Sequence, residues 1–247
     1  MSDHTGLNYL MGPRSDRLYP TRFNDRYYHL VQLRKSLEKV TQLESFRTKH
    51  HPVLVDMGCG EKPYRALFEP YVDCYIGVDL PDNPHADVYL DSEKGIHLLH
   101  DSADIVLSTQ VLEHVLHPST YLSAIHHVLR EQGLLILSTH GYWMHHPDPV
   151  DLWRWTGAGL QRLLAESGFS VTHVAGVMGL AASGMQLLQD GLLRHWHWGQ
   201  RLPLPLRRTT TLLFQSAIQA VDWTATPQSR QLDASVFVIV AQKEGSS

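Results

Sequence analysis

The segment HGYWMHHPDPVDLWRWT, residues 140–156, concentrates side chains that can do chemistry. It holds three Trp, three His, two Pro, two Asp and one Arg in seventeen positions. A neutral imidazole can take a proton from the hydroxyl group of a substrate, called here the acceptor, and a carboxylate can orient that imidazole. We therefore predict His140, His146 and Asp148 as the acid–base residues of an acceptor site.

Three further residues of this segment are candidates for binding an acceptor. The guanidinium of Arg154 can hold an acidic group through two parallel hydrogen bonds, and the rings of Trp143 and Trp153 can stack on a sugar or an aromatic ring. A purely structural alternative stays open. Asp151 and Arg154 can form an ion pair at the start of the next helix, against which the Trp rings would pack.

A glycine-rich turn follows the first predicted strand, in the sequence DMGCGEKPY (56–64). Gly58 and Gly60 allow a tight turn whose backbone approaches a ligand closely. The next predicted strand ends at Asp79, whose carboxylate can accept both hydroxyl protons of a ribose. Pro63 stands where the NAD fingerprint has its third glycine, which disfavours a dinucleotide. S-adenosylmethionine, an adenosine cofactor without a pyrophosphate, tolerates that replacement.

Alternating strands and helices must position these two groups of residues. Short apolar runs predict strands over 52–57, 74–80, 86–91, 103–110, 133–140 and 170–176, and helical patterns lie between them over 64–71, 121–130 and 159–169. This alternation is typical of a parallel sheet with helices on both faces. Ligands bind at the carboxyl ends of such strands, so we expect both groups at one edge of the sheet.

The chain carries, in this order, the motifs VDMGCGEKPY, YIGVDL, ADIVLSTQVLEHVLHP and GLLILSTHGYW. Over about residues 52–176 they resemble the successive motifs of class I S-adenosylmethionine-dependent methyltransferases, in particular the type 11 branch. The resemblance implies an α/β fold with a Rossmann-like seven-stranded sheet, mostly parallel, whose antiparallel last strand is residues 234–244. An N-terminal helix and a helical insertion before that strand complete the expected fold. The resemblance also implies S-adenosyl-L-methionine as the cofactor.

The resemblance implies cofactor-binding roles for eight residues: Asp56, Gly58, Cys59, Gly60, Asp79, Leu80, Asp91 and Gln110. Asp56 would orient the glycine turn near the amino group of the cofactor, Asp91 would reach the adenine amino group, and Gln110 would face the methionyl end. Glu113 and His114 open the following helix and are assigned to the substrate side. The later glycine of the family motif is missing from the turn, which puts affinity in question more than binding itself.

Residues 140–156, called here the acceptor segment, resemble a loop, HxDPxDYWRWT, of a bacterial methyltransferase subgroup that is often encoded beside cell-surface glycan genes. Leu152 stands where that pattern has Tyr. The resemblance indicates O-methylation of a small-molecule or glycan-like acceptor, in bacterial glycan or natural-product biosynthesis. The alternative is a partner subunit that binds the cofactor but has lost its acceptor chemistry.

The chain is predicted to divide into an arm with an amphipathic helix, a cofactor-binding core, a helical insertion and a final strand with a tail: residues 1–50, 51–176, 177–230 and 231–247. The amphipathic pattern runs from 24 to about 50. Apolar and basic residues within 177–210 suit a peripheral membrane contact. A lid, a helical cap packed on the sheet and a homodimer interface are the alternatives for the insertion.

Composition disfavours several classes of function. A net charge of −4 and a pI near 6.5 give no electrostatic basis for binding nucleic acid. Two cysteines do not make a disulfide framework, and no apolar run approaches the roughly 20 residues of a membrane span, so we expect a cytoplasmic protein. The seventeen histidines lack the spacing of known zinc motifs, so no metal site is predicted.

Overall fold

The computed structural model describes residues 17–90, 100–147 and 150–245, which fold around one seven-stranded sheet. Its strands are β1 (Val53–Met57), β2 (Cys74–Asp79), β3 (Val88–Tyr89), β4 (Ala103–Thr109), β5 (Leu129–His140), β6 (Phe169–Gly179) and β7 (Ala234–Lys243). Their spatial order is β3-β2-β1-β4-β5-β7-β6. Strand β7 runs antiparallel to β5 and β6, and the other neighbours are parallel. The predicted Rossmann-like α/β fold with an antiparallel last strand is confirmed.

Helices cover both faces of this sheet. They are α1 (Tyr27–Val40), α2 (Glu44–Arg47), α3 (Arg65–Phe68), α4 (Pro118–Val128), α5 (Gly157–Glu166), α6 (Leu180–Asp190), α7 (His197–Gln200), α8 (Leu204–Asp222) and α9 (Pro227–Leu232). A 3-10 turn at Glu69–Tyr71 follows α3, and a π-helical turn at Gly191–His195 follows α6. Within the described ranges, no helix is both long and apolar enough to cross a bilayer.

Several element boundaries differ from the sequence prediction. Glu113 and His114 do not open the helix that follows β4, because that helix begins at Pro118. Strand β5 begins at Leu129 instead of residue 133, because Leu129 already pairs with Ala103 of β4. The amphipathic helix predicted over 24–50 ends at Val40. There Thr41 Oγ1 donates back to the carbonyl oxygen of Glu38, a side-chain bond that competes with continued helix.

Both faces of the sheet are buried. Along β4, Ile105 and Leu107 belong to one core cluster and Val106 to the other, as the two-residue period of a strand requires. Helices α1, α6 and α8 contribute to the first cluster, and α4 and α5 to the second. The apolar stripe of the N-terminal helix therefore lies against the sheet, where α1 contacts β6 and β7.

A buried polar network joins the start of α1 to the helices that follow β6. The side-chain amides of Gln186 and Gln189 on α6, and of Gln215 on α8, all donate to the carbonyl oxygen of Asp25, at 2.9, 2.7 and 2.8 Å. Tyr28 donates its hydroxyl proton to Asp222 at 2.9 Å. These bonds fix the segment just before α1, which contributes to the cavity described below.

Candidate active site

One cavity of about 780 Å³ opens at the carboxyl ends of the parallel strands. It brings together ten of the residues singled out in the sequence: Gly58, Cys59, Gly60, Asp79, Leu80, Gln110, His114, His140, Trp143 and His146. Four others lie outside its lining: Asp56, Glu113, Trp153 and Arg154. The predicted roles of Asp91 and Asp148 lie outside the described residues. The two chemically distinct groups predicted from the sequence thus share one space.

The glycine turn forms one end of the cavity. Gly58 and Gly60 have φ angles of 75° and 53°, which residues other than glycine rarely adopt. A Cβ atom at Gly58 would also lie 2.6 Å from Cγ2 of Val111. Lys62 takes φ of 53° and closes the turn by donating its N–H to the carbonyl oxygen of Cys59. The turn therefore forms without the later glycine of the family motif.

The carboxylate of Asp79 is held at this end by three N–H donors. Its Oδ2 accepts from the backbone N–H of Gly60 and from the amide of Asn83, both at 2.7 Å, and its Oδ1 accepts from the backbone N–H of Leu80 at 2.8 Å. Asn83 also donates to the carbonyl oxygen of Gly60 at 2.8 Å. Asn83 was not predicted from the sequence, where its only signal is its position in the turn after β2.

Asp56 lies beneath the glycine turn, fully buried at the end of β1. Its Oδ2 accepts the hydroxyl proton of Tyr75 at 2.5 Å, and its Oδ1 has no hydrogen-bond partner among the described residues. Burial, the main cause, raises the pKa of Asp56 to about 7. The carboxylate is thus bonded to Tyr75 of β2 and does not line the cavity.

Aromatic rings form the opposite end of the cavity. The ring of Trp143 stacks on His140, with centroids 5.1 Å apart and planes 5° from parallel, and on His29 of α1 at 4.2 Å. Burial lowers the pKa of His29 to about 3 and that of His140 well below its ordinary value near 6.5. Both imidazoles are therefore neutral at physiological pH.

Glu113 and two more histidines lie beside this stack. Glu113 is fully buried, and its Oε2 accepts the hydroxyl proton of Thr139 at 2.8 Å. Its Oε1 lies 3.4 Å from Nε2 of His140 and 3.9 Å from Nε2 of His114. Burial raises the pKa of Glu113 and lowers that of His146 to about 4. Residues that follow β4 and β5 thus meet because these strands are neighbours.

Arg154 holds the acceptor segment together. Its Nε donates to the carbonyl oxygen of Trp143, its Nη1 to Asp151 and the carbonyl oxygen of Trp153, and its Nη2 to Asp151 and the carbonyl oxygen of Met144, at 2.6–3.0 Å. All five N–H donors of the guanidinium are therefore engaged within the described residues. The structure favours the structural alternative for Arg154 over the binding of an acidic acceptor.

Trp153 also points to a structural role. Its ring stacks on Trp155 at 5.8 Å, and its indole N–H donates to the carbonyl oxygen of Val115 at 2.8 Å. It lies outside the cavity lining, whereas Trp143 is part of that lining. Of the two predicted stacking residues, only Trp143 therefore lines the cavity.

Several cavity residues come from segments that the motifs do not include. They are Arg17, Asn24, Asp25, Arg26 and His29 near the N-terminus, and Arg194 in the π-helical turn. Arg194 pairs with Asp25 at 2.6 Å, which continues the network that fixes this segment. His29 had a weak signal in the sequence, because it shares the helical stripe of Leu33 and Leu37.

Comparison with known proteins assigns a family to this chain. A family model described as a methyltransferase domain matches residues 27–174. A search of the curated proteins found no match.

Solved structures share the fold. An S-adenosylmethionine-dependent methyltransferase from Archaeoglobus fulgidus aligns with a TM-score of 0.54 and 15% identity, over 93% of this chain and 97% of that one. A chain in the complex of the Haloferax volcanii Trm112 methyltransferase activator with its partner gives 0.52 and 12%, over 94% and 97%. The cyclase SpnF gives 0.51 and 16%, over 86% and 83%.

At these identities the structural likeness establishes the fold alone. The family match is stronger evidence, because it spans more than half of the chain and includes both the glycine turn and the acceptor segment. The protein therefore belongs to the methyltransferase domain family.

Proposed function

We propose that this protein transfers a methyl group from S-adenosyl-L-methionine to an oxygen atom of a small-molecule or glycan-like acceptor. The observation that carries the proposal is the single cavity that joins the glycine turn and Asp79 to the imidazoles of His140 and His146. Methyl transfer needs both ends at once, because the donor and the acceptor must meet in line at near-attack distance.

The cofactor end has the features that S-adenosyl-L-methionine requires. Gly58 and Gly60 present bare backbone to the cavity, where the methionyl part would lie, and Asp79 would accept the ribose hydroxyls. Leu80 and Gln110 complete this wall. When bound, the cofactor supplies a methyl group on a sulfonium, which makes the methyl carbon electrophilic. The contact of Asp91 with the adenine amino group stays a prediction.

The acceptor end has groups that can receive a proton. As an acceptor hydroxyl gains the methyl group, its O–H bond must break, and a neutral imidazole can accept the proton. Nδ1 of His140 has no hydrogen-bond partner among the described residues. His146 is oriented by Asp151, whose Oδ2 lies 3.3 Å from its Nδ1. The acid–base role of Asp148 stays a prediction.

The alternative function is a partner subunit that binds the cofactor without acceptor chemistry. One structural neighbour is a methyltransferase solved in complex with an activator protein, so a protein of this fold can work together with a partner chain. Cofactor binding without transfer of methyl to any acceptor would favour this alternative. The cavity lining argues for the enzyme, because a subunit without chemistry needs no buried imidazoles in the cavity that would hold the cofactor.

The first test is calorimetric titration of S-adenosylhomocysteine into the wild type, Asp79→Asn and Asp82→Asn. We expect micromolar binding by the wild type and a loss of about 10-fold or more in Asp79→Asn, because charged hydrogen bonds contribute roughly 1.5–3 kcal/mol. Asp82 is an exposed carboxylate of the same cavity and serves as the matched control. Absence of binding by a folded wild type would overturn the proposal.

A further inference from the structure

Three side chains that can bind a metal converge at the acceptor end of the cavity: Glu113, His114 and His146. One ligand atom from each lies within 4.8 Å of the other two. Glu113 and His114 follow β4, and His146 follows β5, so the pairing of these strands brings together residues that are distant in the sequence. Sequence spacing alone predicted no metal site for this reason.

Both histidines have their Nδ1 atoms engaged by oxygen acceptors. Nδ1 of His114 donates to the carbonyl oxygen of Val150. Nδ1 of His146 faces two acceptors at 3.3 Å, the carbonyl oxygen of Met144 and Oδ2 of Asp151. These partners favour the tautomer with a proton on Nδ1, which leaves the Nε2 lone pairs free. A histidine held in this way by a carbonyl or a carboxylate is typical of metal sites.

The carboxylate of Glu113 gives a second, independent observation. Its side chain is completely buried, and its Oε1 has no hydrogen-bond partner among the described residues. This oxygen points toward Nε2 of both His114 and His140. A buried, unsatisfied carboxylate oxygen is unfavourable, and a bound cation would satisfy it.

We propose that Oε1 of Glu113 and the Nε2 atoms of His114 and His146 bind one divalent transition-metal ion, with Zn²⁺ as the first candidate. Two imidazoles and one carboxylate are a donor set that such ions prefer. Ligand atoms around tetrahedral zinc lie about 3.3 Å apart, as metal bonds of 2.0–2.1 Å require, so side-chain shifts of about an ångström would close the site.

The site would have an open position toward the cavity, because His114 and His146 line it and only three protein ligands are used. An acceptor with a hydroxyl or carboxylate oxygen would bind there, and the ion would make loss of the hydroxyl proton easier. That proton would pass to His140, which is not a ligand in this arrangement. This role in catalysis rests on the proposed methyl transfer, whereas the metal site itself does not.

The test uses the full chain without an affinity tag, stripped with a chelator and titrated with Co²⁺ while its visible absorption is recorded. Glu113→Gln, His114→Ala and His146→Ala remove one ligand each. His85→Ala removes an exposed imidazole of the same cavity and is the matched control. Circular dichroism and the affinity for S-adenosylhomocysteine report whether each variant is folded.

We expect one Co²⁺ per chain in the wild type and in His85→Ala, and affinity weakened at least about 10-fold in each ligand variant. The proposal is overturned if the wild type binds no Co²⁺ with one-to-one stoichiometry, or if the ligand variants bind as His85→Ala does. Intact binding of S-adenosylhomocysteine in either case would leave the proposed methyl transfer standing. If the wild type binds Co²⁺ but does not bind S-adenosylhomocysteine, the proposed function is overturned and the metal site stands.

Discussion

The two ends of the cavity are built from different parts of the chain. At the cofactor end, Asp79 accepts from the backbone N–H groups of Gly60 and Leu80, and the turn between β1 and α3 is shaped by backbone angles. At the acceptor end, side chains from α1, from the segments after β4 and β5, and from the π-helical turn meet. The cofactor end therefore depends on a local path of the backbone, whereas the acceptor end depends on the packing of elements that are distant in the sequence.

The largest expected effect concerns the buried carboxylate below the glycine turn. Asp56 has a pKa raised to about 7, against an ordinary value of 3.8. Between about pH 4 and 7 the unfolded chain loses this proton while the folded chain keeps it, so the free energy of unfolding falls as pH rises. The shift corresponds to about 4 kcal/mol of stability, present below pH 4 and lost above pH 7.

Asp56→Asn should remove this contribution. Denaturant unfolding of the cofactor-free protein at several pH values would show the wild-type stability falling relative to the variant from pH 4 to 7. Parallel curves for the two proteins would mean that Asp56 is not the buried acid that limits stability at the cofactor end.

A somewhat smaller effect is expected at the acceptor end from Arg154→Met. The side chain of Asp151 is only 1% exposed, so removing its partner leaves a buried charge and should cost about 3 kcal/mol of unfolding free energy. The affinity for S-adenosylhomocysteine should change by less than about twofold, because the cofactor end shares no partner with this pair.

Arg162→Met is the matched control for that experiment. Arg162 pairs with Glu166 on α5, and their side chains are 80% and 59% exposed, so the change should leave the free energy of unfolding close to that of the wild type. Equal losses in the two variants would mean that Arg154 does not hold the acceptor segment, and its role in binding an acidic acceptor would be open again.

Gly58→Ala tests the dependence of the cofactor end on backbone conformation. The new methyl group would clash with Val111, and alanine disfavours the left-handed backbone conformation that Gly58 adopts. The affinity for S-adenosylhomocysteine should therefore fall about 100-fold, or about 2.7 kcal/mol. Gly184→Ala in α6 meets no neighbour within 4 Å and should leave the affinity unchanged. Wild-type affinity in Gly58→Ala would show that the backbone path is less restrictive than the geometry indicates.

The smallest effect should come from Asn83→Ala, which removes a side-chain contact at the end otherwise built from backbone. Its amide donates to Asp79 and Gly60. Its loss should weaken the binding of S-adenosylhomocysteine about fivefold, which corresponds to one hydrogen bond of about 1 kcal/mol. Calorimetry would measure the change. Tighter binding instead would mean that the Asn83 amide occupies the carboxylate oxygen that the ribose needs.

The same comparison explains how much the sequence could predict. The fold and the positions of Gly58 and Asp79 at the cavity were predictable, because strand periodicity and a turn of few residues are local properties. The places of His29 and Arg194 at the cavity were not, because these residues reach it only through the packing of α1 and α6 against β6 and β7. No local pattern reports which distant segments will meet.

Arg154 shows a different limit. Its residue type and its spacing from Asp151 allowed both a binding role and a structural one. The choice depends on where the carbonyl oxygens of Trp143, Met144 and Trp153 lie, since they accept the donors that Asp151 leaves over. Backbone oxygens have no signature in a sequence, so only the folded loop could separate the two roles.

The meeting of three glutamine amides at one carbonyl oxygen of Asp25 has a consequence for motion. A carbonyl oxygen has two lone pairs, so the three donors share them, and the loss of one glutamine leaves the oxygen satisfied. Helices α6 and α8 and the segment before α1 should therefore open together as one cooperative unit, with their amide protons exchanging at a common rate. Opening of that unit would widen the acceptor end of the cavity and leave the glycine turn in place.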